Sequence, residues 1–310
     1  MRYTFSEIFN KEISELGFGG FQLGNNDMWN GTSYSDGVLL VKEAIEKGIT
    51  FFDTAPEYGN GVSERIIGEA IKGYREKVII NTKFGHSAEG VTDFSIENIE
   101  KSINESLVRL NTDYIDSVIL HNPDRLILEG STEHCNEFVR LKEKGLVKAC
   151  GVSVDTLEEL MLVLENLEVD IFEVTFNIMY QEAISVFDKI EEKDIILIIK
   201  VPLDSGWLSG KYNKHSVFTG IRARWTKEDI KFRSKIVKKI KKIVKSDDLV
   251  PTALGFILSY NAVTTVIPGT VNSKQLNSNI FAVNQDIDSE IRQKLIELYQ
   301  DYLQGEYISW

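Results

Sequence analysis

The chain has 310 residues, 43% of them hydrophobic, and a formal net charge of −12 from 35 Lys and Arg against 47 Asp and Glu. That is ample apolar material for a core, and the acidic balance argues against nucleic acid as a general partner, because phosphate binding needs a basic surface. No apolar run approaches the roughly 20 residues of a membrane span, and the opening MRYTFSEIFNKEISELG has neither a long apolar core nor a small-residue cleavage site. The expected setting is cytoplasmic, with Cys135 and Cys150 as free thiols, since they form no CxxC or zinc pattern.

Short β-branched runs alternate with helical stripes along most of the chain. A short N-terminal hairpin is expected, then a first barrel strand over residues 13–19 and further strands over 49–53 and 78–83. A helix over 95–110 follows, with Ile96, Ile99, Ile103, Leu107 and Leu110 on one stripe and Ser95 as N-cap. After a strand over 114–121, a helix stops at Gly145, a suitable C-terminal glycine. Beyond the strand over 147–154, Thr156 and Glu159 form a capping-box pair. Strands over 170–177 and 195–202 come next. The longest unit then holds DSGWLSGKY, a variable stretch to Trp225 and a basic helix over 227–245. Pro251 opens a helix over 252–260 as a first-turn proline, and the last strand covers 263–269. Most of these strands are nearly continuous apolar runs, as strands covered on both faces should be. Eight β/α units in this length predict an α/β fold: one (β/α)8 TIM barrel domain over residues 1–310, with extra helices after strand 7 and at the C-terminus. A doubly wound open sheet is the alternative.

Three of the runs end in polar residues. Asp53 and Tyr58 lie in GITFFDTAPEYGNG, Lys83 in KVIINTKFG and His121 in YIDSVILHNPD. In a parallel β/α protein the active site gathers at the carboxyl ends of the strands. Tyrosine is a weak acid with a pKa of about 10, and a nearby cation lowers that value. Lys83 at the next strand end can be that cation, and Asp53 can hold it. Tyr58 can then give a proton to a carbonyl oxygen as hydride reaches the carbon, or act as base in reverse. His121 can hydrogen-bond the same oxygen. Each residue alone also has a bland reading: a loop cap for Asp53, a solvated charge for Lys83, a structural histidine for His121. The four together, at the ends of three consecutive strands, favour the catalytic one.

From about residue 17 to about residue 279 the sequence resembles the aldo-keto reductase family. GITFFDTAPEYGNG is similar to that family's strongest signature, VIINTKFG supplies its lysine and SVILHNPD its histidine. The resemblance implies the same roles for Asp53, Tyr58, Lys83 and His121, and an extended nicotinamide dinucleotide across the barrel mouth. No GxGxxG opens a helix after a strand. Gly19, in LGFGGFQLG, belongs either to a phosphate loop or to a tight turn. Ser153 in GVSV matches the carboxamide-binding serine, with Val154 where Asn is common. Glu173 stands where the family usually has Gln, and a carboxylate accepts but cannot donate. Lys200 stands where many members stack an aromatic on the nicotinamide. Pro202, Leu203, Ser205 and Gly206 in PLDSGWLSGK resemble the pyrophosphate loop, with Lys211 either a phosphate partner or a surface lysine. Gly269, Thr270, Lys274, Gln275 and Asn279 in IPGTVNSKQLNSN resemble the adenosine-phosphate segment. NADP(H) is the family default. A 2′-phosphate wants several charged donors, and Lys274 is the one cation in this segment, so NAD(H) stays open.

Phe21, Trp29, Trp207 and Trp225 fall in strand-end loops and either line a substrate pocket or pack the loops; His86, close after Lys83, is a further pocket candidate. His134 reads as a helix-surface residue. The basic helix, with nine Lys and Arg against two acids over 227–245, binds anionic membranes or a partner, or packs on the barrel and shows its charges to water; the latter is preferred. The expected activity is interconversion of a small carbonyl compound and its alcohol with NAD(P)H and no metal. The rivals are an NAD-dependent aldose dehydrogenase and a cofactor-binding regulatory subunit with little turnover.

Overall fold

The structure, a computed structural model, describes residues 1–25 and 31–306. Trp29 lies outside the described residues. The chain opens with an antiparallel hairpin, β1 (Tyr3–Ser6) and β2 (Lys11–Ser14), followed by β3 (Phe18–Gly19). The run expected as one strand over 13–19 is therefore two pieces. At Glu15 the backbone changes partners: its N–H donates to Arg2 while its carbonyl accepts from Val266. Phe9 and Ile13 of the hairpin join Phe51, Ile79, Ile119, Ala149, Ile171, Ile198 and Ile267 in one buried cluster, which plugs the N-terminal end of the barrel.

Seven parallel strands follow β3: β4 (Phe51–Asp53), β5 (Ile79–Phe84), β6 (Ile115–His121), β7 (Val147–Val154), β8 (Ile171–Thr175), β9 (Ile196–Lys200) and β10 (Val263–Val266). They pair in sequence order, and parallel bridges Leu16–Val266 and Gly19–Gly269 join the last strand region to the first. This is the expected eight-stranded barrel, closed where an open sheet would have two edges. Register places several polar side chains in rows. Asp53 sits opposite Asn81, and His121, Ser153 and Glu173 stand side by side on β6, β7 and β8.

The outer layer comprises α1 (Tyr34–Glu46), α2 (Val62–Ala70), α3 (Ile96–Leu110), α4 (Arg125–Leu128), α5 (His134–Glu143), α6 (Leu157–Asn166), α7 (Phe187–Glu192), α8 (Lys227–Val244), α9 (Val250–Leu258), α10 (Ser273–Val283) and α11 (Ser289–Tyr302). The Thr156–Glu159 capping box forms at the start of α6. Ser95 occupies the N-cap position of α3 without a side-chain cap bond; its own N–H is taken by the Asp93 carboxylate at 2.8 Å. Pro251 is in the first turn of α9, which begins earlier than expected. The basic helix α8 buries Ile236, Val237 and Ile240 and packs on α11, with a Thr226–Asp229 capping box at its start. Arg233, on the same helix, is buried and ion-paired to Asp204 in the loop after β9. His134 departs from expectation: it is buried, because Phe94 O accepts from its Nε2 at 2.7 Å while Nδ1 meets Thr132 Oγ1 at 2.9 Å.

Candidate active site at the barrel mouth

Asp53 ends β4, Lys83 lies on β5 and His121 ends β6. Tyr58 comes from the turn between β4 and α2. The strands are apolar runs that need burial on both faces, so the few polar residues at their carboxyl ends are driven together at the rim. Lys83 Nζ donates to Asp53 Oδ1 at 2.5 Å and to Thr54 O at 3.1 Å. It also lies 3.3 Å from Glu173 Oε2. Asn81 bridges the two acids, its amide donating to Asp53 at 2.8 Å and to Glu173 at 3.4 Å. Lys83 Nζ stands 5.1 Å from the centre of the Tyr58 ring. Tyr58 meets Phe21 edge-on at 5.0 Å and His121 at 6.1 Å between ring centres.

Burial decides the electrostatics. Asp53, Lys83 and Glu173 are each no more than 3% exposed. Burial first, and the Glu173 charge second, push the Asp53 carboxyl up to about 7 against the pull of Lys83. Burial works against the Lys83 ammonium, but the two carboxylates outweigh it and hold its pKa above the ordinary lysine value. Lys83 does act to lower the Tyr58 pKa, as expected, but burial is the larger effect and the net shift is upward. Tyr58 is thus a protonated phenol poised beside a cation. Burial, then the charges of Lys83, Lys200 and His86, keep the His121 pKa well below its usual value, so the ring is neutral. His121 Nδ1 has no hydrogen-bond partner among the described residues and lies 3.5 Å from Glu57 Oε1.

Asp53, Tyr58 and His121 line one cleft of about 510 Å³, with Lys83 buried just behind them. Its lining also includes Gly19, Phe21, Glu173, Lys200, Pro202 and Leu203, then Ser205, Gly206, Lys211, Gly269, Gln275 and Asn279. Ser153 sits behind Lys200, accepting from its Nζ at 2.7 Å. The same ammonium pairs with Asp155 at 2.8 Å and donates to Asn122 at 3.2 Å, so it is fixed rather than free to sweep the cleft. Thr270 is buried under the rim and accepts from Asn279. Lys274 is exposed on the first turn of α10 and outside the lining. His86 also stays out of the lining; its Nε2 meets His121 O at 3.1 Å, which makes it a support for that residue.

Trp207 requires a correction. It is fully buried, packed with Tyr212, Phe218 and Trp225 beneath the loop after β9, and lines no part of the cleft. Trp225 is buried in the same aromatic cluster. Sequence reasoning missed Gln22, Tyr212 and Arg222, which line the cleft. It also passed over Asn81, although a polar side chain in the middle of an apolar strand was a visible signal.

The lining suits an extended anionic dinucleotide. In the loop after β9, Val201, Asp204, Ser205 and Gly206 all have positive φ. Asn177 braces this backbone by donating to Val201 O at 3.0 Å, and Gly206 at φ 96° adopts a conformation that only glycine takes without strain. A Cβ at Gly19 would come within 2.8 Å of Ile267 O, so glycine is needed there for close strand approach at the rim. Lys200, Lys211 and Arg222 supply positive charge around the cleft. Gln22 Oε1 is buried with no partner among the described residues, an acceptor left beside the cleft.

The Aldo/keto reductase family model matches residues 15–300. An aldo-keto reductase of Bacillus subtilis, YhdN, is 31% identical over 275 residues, covering 86% of this chain and 81% of that protein. An NADH-specific methylglyoxal reductase of Escherichia coli is 26% identical, covering 92% of this chain and 95% of its own. Among solved structures, the holo form of aldo-keto reductase AKR11C1 from Bacillus halodurans superposes with a TM-score of 0.81 at 26% identity, covering 96% of both chains. Among the described residues no helix is long and apolar enough to cross a membrane, and no group of three or more His, Cys, Asp or Glu is placed to hold a metal.

Proposed function

The chain belongs to the aldo-keto reductase family of NAD(P)-dependent oxidoreductases that act on carbonyls, and we propose that Tyr58 is its proton donor, with Lys83, Asp53 and His121 as the groups that set its chemistry. The observation that carries this is the protonated, buried Tyr58 beside Lys83 in a cleft that also holds neutral His121. When bound, the nicotinamide supplies or accepts the hydride. Tyr58 gives its phenolic proton to the carbonyl oxygen in reduction and takes it back in oxidation. Lys83 stabilises the phenolate left behind, and Asp53 fixes Lys83 through the 2.5 Å contact. A neutral His121 donates one N–H to the same oxygen and orients it. Phe21 forms an apolar wall against Tyr58, suited to a small carbonyl or alcohol.

Gly19, Ser205 and Gly206 would hold the pyrophosphate backbone, with Lys211 as a charge partner. Gln275 and Asn279 would take the adenosine end, and Glu173, Ser153 and Lys200 the nicotinamide end. Lys274 points no charge into the cleft lining, and a 2′-phosphate needs charged donors. That favours NAD(H) over the NADP(H) default of the family. Fluorescence titration with each cofactor tests the preference; tighter binding of NADPH than NADH would reverse it.

Tyr58→Phe tests the mechanism. It should leave cofactor affinity nearly unchanged and cut carbonyl turnover by roughly 100-fold or more, the scale of a general acid. Turnover at the wild-type rate would remove Tyr58 from the reaction. A panel of aldehydes and ketones with either cofactor separates the enzyme from a regulatory subunit, which would bind dinucleotide without oxidising it.

A further inference from the structure

Glu173 is a second buried carboxylate on an ammonium that Asp53 already satisfies. Its Oε2 lies 3.3 Å from Lys83 Nζ, and its Oε1 finds only the Ser153 hydroxyl, at a long 3.5 Å. It is 2% exposed and lines the cleft. A buried carboxylate in this position is costly, and an amide could have made the same bridge to Asn81 without it. The charges facing it do not cancel. Asp53 on β4 and Glu173 on β8 oppose one Lys83 on β5. The other nearby cation, Lys200 on β9, is matched by Asp155. His121 on β6 is neutral, Tyr58 is protonated, and Glu57 beside His121 adds a further acid. With both buried carboxylates ionised, Asp53, Glu173 and Lys83 together carry one net negative charge, before Glu57 is counted.

The two states of a nicotinamide differ by one positive charge on the ring. Resting on the dinucleotide reading above, we infer that Glu173 is a specificity-determining residue: its carboxylate makes this cleft prefer the oxidised, cationic nicotinamide to the reduced, neutral one. The preference makes the bound reduced cofactor a stronger hydride donor, and so tilts the bound equilibrium towards NAD+ and alcohol, the product side of carbonyl reduction. In a water-poor cleft a single charge a few ångströms away is worth roughly a tenfold change in affinity or more. Asp53, pushed up to about 7 by burial and by Glu173, supplies the pH dependence. Below that value a proton sits on the pair and the net charge of Asp53, Glu173 and Lys83 is removed.

The test is equilibrium binding of NAD+ and NADH, by protein fluorescence, to the wild type and to Glu173→Gln. The wild type should bind the oxidised form more tightly at pH 8, and Glu173→Gln should shift the ratio of the two dissociation constants by about tenfold towards the reduced form. A second measurement needs only the wild-type chain: the preference should narrow as pH falls from 8 to 6. An unchanged ratio in the variant, or a pH-independent ratio in the wild type, overturns the inference while leaving the dinucleotide reading intact. Binding of neither form by the wild type overturns both.

Discussion

Lys83→Met asks whether the buried ammonium holds the site together. At an effective dielectric of about 20, the attraction is about 6.6 kcal/mol to Asp53 and about 5 kcal/mol to Glu173, from separations of 2.5 and 3.3 Å. Removing the ammonium also removes its own burial cost of several kcal/mol, so the net loss is smaller, about 3–5 kcal/mol, the usual result of breaking a buried pair. The sign of the pH dependence follows. Without Lys83 the Asp53 carboxyl, already pushed up to about 7 by burial and Glu173, loses the cation that holds it down and titrates higher still, well above the value near 4 of an unfolded Asp. The folded variant then binds more protons than the unfolded one, and its stability falls as pH rises. Its deficit relative to wild type should therefore be larger at pH 8 than at pH 6, by about 1–2 kcal/mol. Urea denaturation followed by circular dichroism at both pH values measures this. Adding Glu173→Gln should recover part of the loss, because it removes one of the two opposed charges. A deficit below about 1 kcal/mol at both pH values, or one that grows towards pH 6, would refute the electrostatic account.

Two other outcomes follow from buried groups. Arg233→Met strands the Asp204 carboxylate beneath the loop after β9 and should cost about 3–5 kcal/mol in urea denaturation; a loss under 1 kcal/mol would mean the pair is not holding α8 to that loop. The His121 ring, kept well below its usual pKa by burial and by Lys83, should show no protonation shift in its imidazole NMR signals between pH 6 and 8. A titration centred near 6.5 would show that water reaches it freely.

The barrel and the four residues at its rim were legible because they rest on local rules. An apolar run that ends in one polar residue marks a strand and its functional end. What was not legible depends on contacts distant in sequence. Residues 13–19 look like one strand, and only the partners Arg2 and Val266 divide it. The first-turn position of His134 resembles a surface site until the Phe94 carbonyl is placed over it. Trp207 was correctly put in a loop, but loop membership says nothing about which side of the loop faces the core. Arg222 lies in a stretch with no periodicity to read. Glu173 was visible as a change from the common amide, yet its partner Lys83 emerged only from the fold.

The seam between the first and last strand regions also governs when the site can exist. Tyr58, Lys83 and His121 are made early in synthesis, and their strands can pair in order as they emerge. The other wall of the cleft comes from β8, β9 and the segment after β10, and the bridges Leu16–Val266 and Gly19–Gly269 join residues some 250 positions apart. Contacts that distant form slowly, because the intervening chain must be ordered before they are rewarded. A ribosome-bound chain that stops short of β10 would carry Tyr58, Lys83 and His121 without a complete cleft around them. Dinucleotide affinity should therefore appear in a refolding experiment only with the slowest phase of structure formation.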